Sequence, residues 1–98
     1  MEQSALLKGE ALEQAVKGLN VGWAVLPGKG LVRVVPTTGF QEGFAIVSRI
    51  ARLAEQQQHD PELTLRRDEV EIVLNTLEAG GITSRDSDMA KAVDALLE

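Results

Sequence analysis

The chain has no cysteine, and His59 is its only histidine in 98 residues. Without thiols it forms no disulfide and no thiolate metal centre. One imidazole cannot assemble the usual His/Cys zinc site within one chain. No metal and no cofactor are therefore expected. Aromatic residues are scarce, namely Trp23, Phe40 and Phe44, so the core has to be built from Leu, Val, Ile and Ala. Basic residues are outnumbered, and the net charge is −5. That balance argues against a nucleic-acid surface, which needs clustered Lys and Arg. The one basic pair, Arg66-Arg67, reads as a solvated turn. No apolar run approaches the roughly 20 residues of a membrane span. Met1 to Lys8 carries Glu2 and no long apolar stretch, so it does not read as a signal peptide. These absences leave a soluble, cytoplasmic protein of one domain over residues 1–98, small enough to gain from burial in an oligomer.

What is present has a clear order. Leu12, Ala15, Val16 and Leu19 recur at helical spacing, predicting a helix over Glu10 to Leu19 that Gly18 and Asn20 end. Trp23 to Leu26 and Leu31 to Val35 read as strands joined by the turn Pro27-Gly28-Lys29-Gly30. Thr37 and Thr38 are N-cap candidates for the longest periodic segment, Phe40 to Gln58. In it Phe40, Phe44, Val47, Ala51 and Ala54 share a stripe that Ile46, Ile50 and Leu53 widen. A stripe that broad can face a sheet on one side and a partner helix on the other. Leu63 to Arg66 and Glu69 to Thr76 form a second strand pair, although the Arg67-Asp68 turn lacks Gly or Asn. Gly80-Gly81 breaks the chain. Thr83-Ser84-Arg85-Asp86 then resembles a capping box, with Asp in the place of Glu or Gln, and Met89, Ala90, Val93, Leu96 and Leu97 continue a final helix. The order αββαββα predicts an α+β layer, a four-stranded antiparallel sheet with three helices on one face.

At Glu55-Gln56-Gln57-Gln58-His59-Asp60-Pro61 the sequence resembles the signature of the pterin-4a-carbinolamine dehydratases: an acidic residue, three residues, then His-His-Pro after the long helix. Glu55, His59 and Pro61 match. Trp23 after Val-Gly, Phe40 and Phe44, Ser48-Arg49-Ile50-Ala51, and Gly81-Ile82-Thr83-Ser84-Arg85-Asp86 resemble further family landmarks. The resemblance runs over nearly the whole chain from about Leu7, and it implies the same element order. The departures are that the second histidine of the family falls on Asp60, a third on Glu71, and the expected aromatics on Leu63 and Arg67. The family's reaction expels a hydroxyl from the 4a carbon of a reduced pterin. It needs an acid for the leaving oxygen and a base for a ring proton, tasks that imidazoles suit.

With two of three histidines replaced by carboxylates, and His59 set beside Asp60 and Glu55, the expectation is a non-catalytic protein with a degenerate pterin site at Glu55, His59, Asp60, Pro61 and Glu71. The chain then resembles the degenerate family branch encoded with alpha-carboxysomes, which implies an assembly factor for Rubisco, associated with carboxysome assembly. A homodimer formed through strand pairing is expected with it, since an unpaired edge is a liability. Arg33, Arg66 and Arg67 are the candidate partner contacts, because guanidinium groups pair bidentately with carboxylates. Two alternatives stand beside this. One is a divergent dehydratase pairing His59 with Glu55 or Glu71, and the other a dimerisation cofactor for a transcription regulator. The bland readings are a helix-terminal cation for His59, a solvated helix residue for Glu55, turn chemistry for Asp60-Pro61, and an exposed strand face for Glu71.

Overall fold

A computed structural model describes residues 5–98; residues 1–4 of the Met1 to Lys8 segment lie outside it. Helix α1 covers Gly9–Lys17, strands β1 and β2 cover Ala24–Leu26 and Gly30–Pro36, and helix α2 covers Phe40–Gln57. Strands β3 and β4 cover Glu62–Leu65 and Glu69–Leu74. A 3-10 turn, Leu77–Ala79, leads to helix α3, Ser84–Leu97. The four strands form one sheet in the order β1-β2-β4-β3, and every pairing is antiparallel. The αββαββα expectation holds.

Register explains which residues face the helices. Leu31 lies opposite Leu74, Arg33 opposite Ile72 and Val35 opposite Val70, and partners across a ladder share a face. Leu31, Val70, Ile72 and Leu74 are fully buried against Ile50 and Ala54 of α2 and Met89, Ala90 and Val93 of α3. Leu12 and Val16 of α1 pack on the same cluster. The other face presents Glu62, Thr64, Glu71, Val73, Val32 and Val34. At Gly30, with φ +124°, an added Cβ would lie 2.3 Å from the Leu74 carbonyl oxygen. Only glycine lets the β1–β2 hairpin approach β4 so closely.

Two local readings change. The α2 stripe splits: Ile50 and Ala54 are buried, whereas Phe40 and Phe44 are more than half exposed. Neither Thr37 nor Thr38 caps α2; the N-cap is Gly39, without a side-chain bond. Instead the Glu42 carboxylate accepts from the Thr38 amide at 2.6 Å, reaching back to bind a free donor ahead of the helix. The capping box of α3 is formed: the Thr83 hydroxyl accepts from the Arg85 amide, and the Asp86 carboxylate accepts from the Thr83 amide.

Candidate active site

Helix α2 ends at Gln58 in the left-handed conformation, φ 51° and ψ 46°, with the His59 amide donating back to the Ala54 carbonyl. A non-glycine residue holds that conformation at a cost of about 1–2 kcal/mol. The reversal turns His59 inward, where it is 8% exposed. Arg85 fastens the turn by donating from Nη2 to the Gln58 carbonyl at 3.0 Å.

His59 Nε2 lies 2.6 Å from Asp86 Oδ1, and Asp86 is fully buried. The protons around this carboxylate can be assigned in sequence. Asp86 Oδ2 accepts from the Thr83 amide at 2.9 Å and from the Thr76 hydroxyl at 2.8 Å. Thr76 has then spent its one hydrogen, so in its 2.8 Å contact with Thr83 the Thr83 hydroxyl is the donor. A carboxylate surrounded by donors takes His59 Nε2 as a donor too. In the neutral ring this places the proton on Nε2 and leaves Nδ1 as an acceptor. Nδ1 has no partner among the described residues. One carboxylate thus closes the cap of α3 and orients the imidazole.

His59, Asp60, Asn75, Leu77 and Arg85 line a depression of about 260 Å³. The remaining positions of the pterin signature distribute unevenly around it. Asp60 is exposed on its wall, and Pro61 follows at the entry to β3. Glu55 is exposed on α2 and does not line the depression. Glu71 is not a solvated strand residue: its side chain is only 12% exposed, between Lys29 Nζ at 3.0 Å and Arg66 Nη2 at 2.6 Å. The Arg66 hydrogen bond first, and the Lys29 one second, hold its carboxyl below the ordinary carboxylate value. A carboxylate so held is a poor proton donor. Neither Glu55 nor Glu71 bonds to His59. Its partner is Asp86, which the sequence presented only as a helix cap. The signal was present in Ser84-Arg85-Asp86, one of the landmarks shared with the dehydratases.

The arginines named as partner contacts divide. Arg33 lies on the helix face, where its Nη1 donates to Asp94. Asp94 also accepts from Trp23 Nε1 at 2.8 Å and from the Asn20 amide at 2.9 Å. Arg66 is committed to Glu69 and Glu71. Arg67 is exposed and forms no salt bridge among the described residues. No group of three or more potential ligands that could hold a metal ion occurs among the described residues, and no helix there is long and apolar enough to cross a membrane.

An α+β layer of this topology has counterparts among known proteins. Residues 5–96 match the family model for pterin 4 alpha carbinolamine dehydratase. A relative from Thermomicrobium roseum is 43% identical over 75 residues, 76% of this chain and 80% of that protein. One from a Bradyrhizobium is 38% identical over 91 residues, 92% of this chain and 90% of that protein. Each is named "Putative pterin-4-alpha-carbinolamine dehydratase". The crystal structure of a transcriptional coactivator/pterin dehydratase from Brucella melitensis superposes with a TM-score of 0.85 at 26% identity, covering 94% of this chain and 98% of that one. The chain belongs to the pterin-4a-carbinolamine dehydratase family.

That membership corrects the expectation of a non-catalytic protein, because the relatives are named for an enzyme. The expectation rested on a count of imidazoles; the one retained is bonded to the Asp86 carboxylate.

Proposed function

We propose that the protein dehydrates a 4a-hydroxytetrahydropterin. The observation that carries this reading is the buried His59–Asp86 pair opening on a depression beside Asp60. In the reaction the C4a–oxygen bond breaks, the hydroxyl leaves as water after taking a proton, and a ring nitrogen gives up a proton as a carbon–nitrogen double bond forms. His59 Nδ1 takes the ring proton, while Asp86 holds the imidazole in the tautomer with Nδ1 free and stabilises the imidazolium. The proton then passes to the departing oxygen from the imidazolium or through solvent at the Asp60 wall. Glu71 takes no part in proton transfer; it is held between Lys29 and Arg66 and does not line the depression. The test is turnover of freshly generated 4a-hydroxytetrahydropterin by purified protein, followed by absorbance. Turnover indistinguishable from the uncatalysed rate, or unchanged by His59→Ala, would overturn the reading.

A partner-binding role beside catalysis is favoured by one observation, the Brucella relative whose description joins coactivator and dehydratase. For this chain we propose Rubisco, in association with carboxysome assembly, as the partner of a homodimer. Arg67 is the contact left available, since Arg33 and Arg66 are engaged within the chain. The exposed Phe40 and Phe44 and the short edge strand β1 support self-association. Co-purification with Rubisco, weakened by Arg67→Glu, is the expected result. Absence of any benefit to Rubisco assembly in a reconstituted host, or a folded monomer by sedimentation at micromolar concentration, counts against the respective part.

A further inference from the structure

Gln58 is the only non-glycine residue with a positive φ among the described residues. It directly precedes His59, so the conformation it holds sets the direction in which the imidazole leaves helix α2. A side chain gains nothing from the left-handed region, which glycine alone enters about as readily as the right-handed one. The Ala54 carbonyl accepts from the Gln58 and His59 amides, which closes the helix locally. The further anchor comes from the tertiary structure. Arg85, in the first turn of α3, donates from Nη2 to the Gln58 carbonyl at 3.0 Å across a separation of 27 residues. Its Nη1 lies 3.3 Å from Glu78 Oε2. One guanidinium therefore spans the end of α2, the 3-10 turn and the start of α3. The next residue is Asp86, whose carboxylate meets the ring at Nε2. Consecutive side chains thus hold His59 twice: Arg85 holds the backbone that carries the ring, and Asp86 holds the ring.

We propose that Arg85 is a positioning residue, which keeps the imidazole on Asp86 by tethering the Gln58 carbonyl. Without the guanidinium the reversal loses its anchor to α3, and Gln58 relaxes toward the right-handed region that its Cβ favours. The peptide after it then rotates and carries the ring off the carboxylate. Nδ1 is no longer presented to the depression. The consequence for turnover rests on the dehydratase reading; the tether itself does not. Arg85 also lines the depression, and direct contact with a ligand is the competing role. The two roles differ in what repairs the loss of the guanidinium. Glycine takes the left-handed turn unaided, so Gln58→Gly replaces an anchor on the backbone and cannot replace a contact with a ligand.

The chain has one histidine and one tryptophan, which makes the test direct. In the 15N-labelled full-length protein, NMR reads the Nε2 proton that His59 shares with Asp86. The Trp23 indole proton, bonded to Asp94, is the reference for the fold. Arg85→Met keeps the stem and removes the donors. It is expected to lower the His59 signal at least about threefold against that of Trp23, and kcat by about 30–100-fold with KM within about threefold, the scale of a misplaced reacting group. Adding Gln58→Gly to Arg85→Met should restore the signal ratio and recover kcat at least about tenfold. A merely structural role would weaken the His59 and Trp23 signals together. Should Arg85→Met fail to fold by circular dichroism, Arg85→Lys, which exchanges the two-armed guanidinium for a single ammonium, carries the same expectation at smaller amplitude. A His59 signal unchanged against Trp23 overturns the inference. So does a loss that Gln58→Gly does not repair, which assigns Arg85 to direct ligand contact. Both results leave the dehydratase reading standing. Wild-type turnover at the uncatalysed rate, with the signals responding as expected, overturns the dehydratase reading and leaves the tether.

Discussion

Replacing Asp86 by Asn alters one atom in the cleft's most connected group, and its consequence can be worked through the hydrogen bonds. The amide oxygen must stay with the Thr83 amide and the Thr76 hydroxyl, both donors. The NH2 group then faces His59 Nε2, where the native ring donates. Donor would meet donor, so the ring moves its proton to Nδ1 and accepts at Nε2. The folded protein survives with one charge-assisted hydrogen bond replaced by a neutral one, a net loss of about 1–2 kcal/mol. For a domain of this size that lowers the melting temperature by roughly 4–8 °C per kcal/mol. Turnover suffers far more, because Nδ1 now carries a proton and cannot accept one. The loss of a positioned base is expected to cost about 10²–10⁴-fold. Asp86→Ala removes the α3 cap as well and should cost about 3–5 kcal/mol, which separates the structural from the catalytic role. Thermal melts by circular dichroism and dehydration rates on the same preparations make the measurement. Asp86→Asn that is folded and turns over within about threefold of wild type would refute the assignment of the base, since a positioned base contributes at least about a hundredfold.

Three further outcomes are expected. Because Arg66 and Lys29 depress the Glu71 carboxyl, its contribution to stability is present above the ordinary value of 4.5 and is lost as pH falls through its folded value; thermal melts between pH 3 and pH 6, on a scale set by that ordinary carboxylate range, should show this acid limb in wild type and a shallower one in Glu71→Gln. Asp94→Ala leaves Trp23 Nε1 and Arg33 without their shared acceptor and should cost about 2–4 kcal/mol, read by urea denaturation followed through Trp23 fluorescence. Gln58→Gly relieves the left-handed backbone at the end of α2 and should stabilise the fold by about 0.5–1 kcal/mol, seen as a higher urea midpoint with unchanged slope.

The order of elements was legible in the residues because each had its own local periodicity. Val70, Ile72 and Leu74 alternate along β4, and Ile46, Ile50 and Leu53 repeat at helical spacing in α2. Pro27 to Gly30 supplied the first hairpin turn and Thr83 to Asp86 the last helix start. These are short-range properties, fixed by which side chains can share a face of a strand or helix. The signature around His59 likewise carried the family in a handful of positions. Partners are another matter, because they meet only when the chain is folded. His59 and Asp86 are 27 residues apart, Glu71 and Lys29 are 42, and Arg33 and Asp94 are 61. No periodicity encodes those distances. Asp86 reads locally as a cap, and it is one; its second oxygen finds the imidazole only because Gln58 reverses the chain beneath α2. Arg33 reads as a surface cation until the β2–β4 register turns it toward α3. The sequence by itself determined the layers and the list of chemical groups. The tertiary structure alone decided which carboxylate orients the histidine and which merely balances two cations.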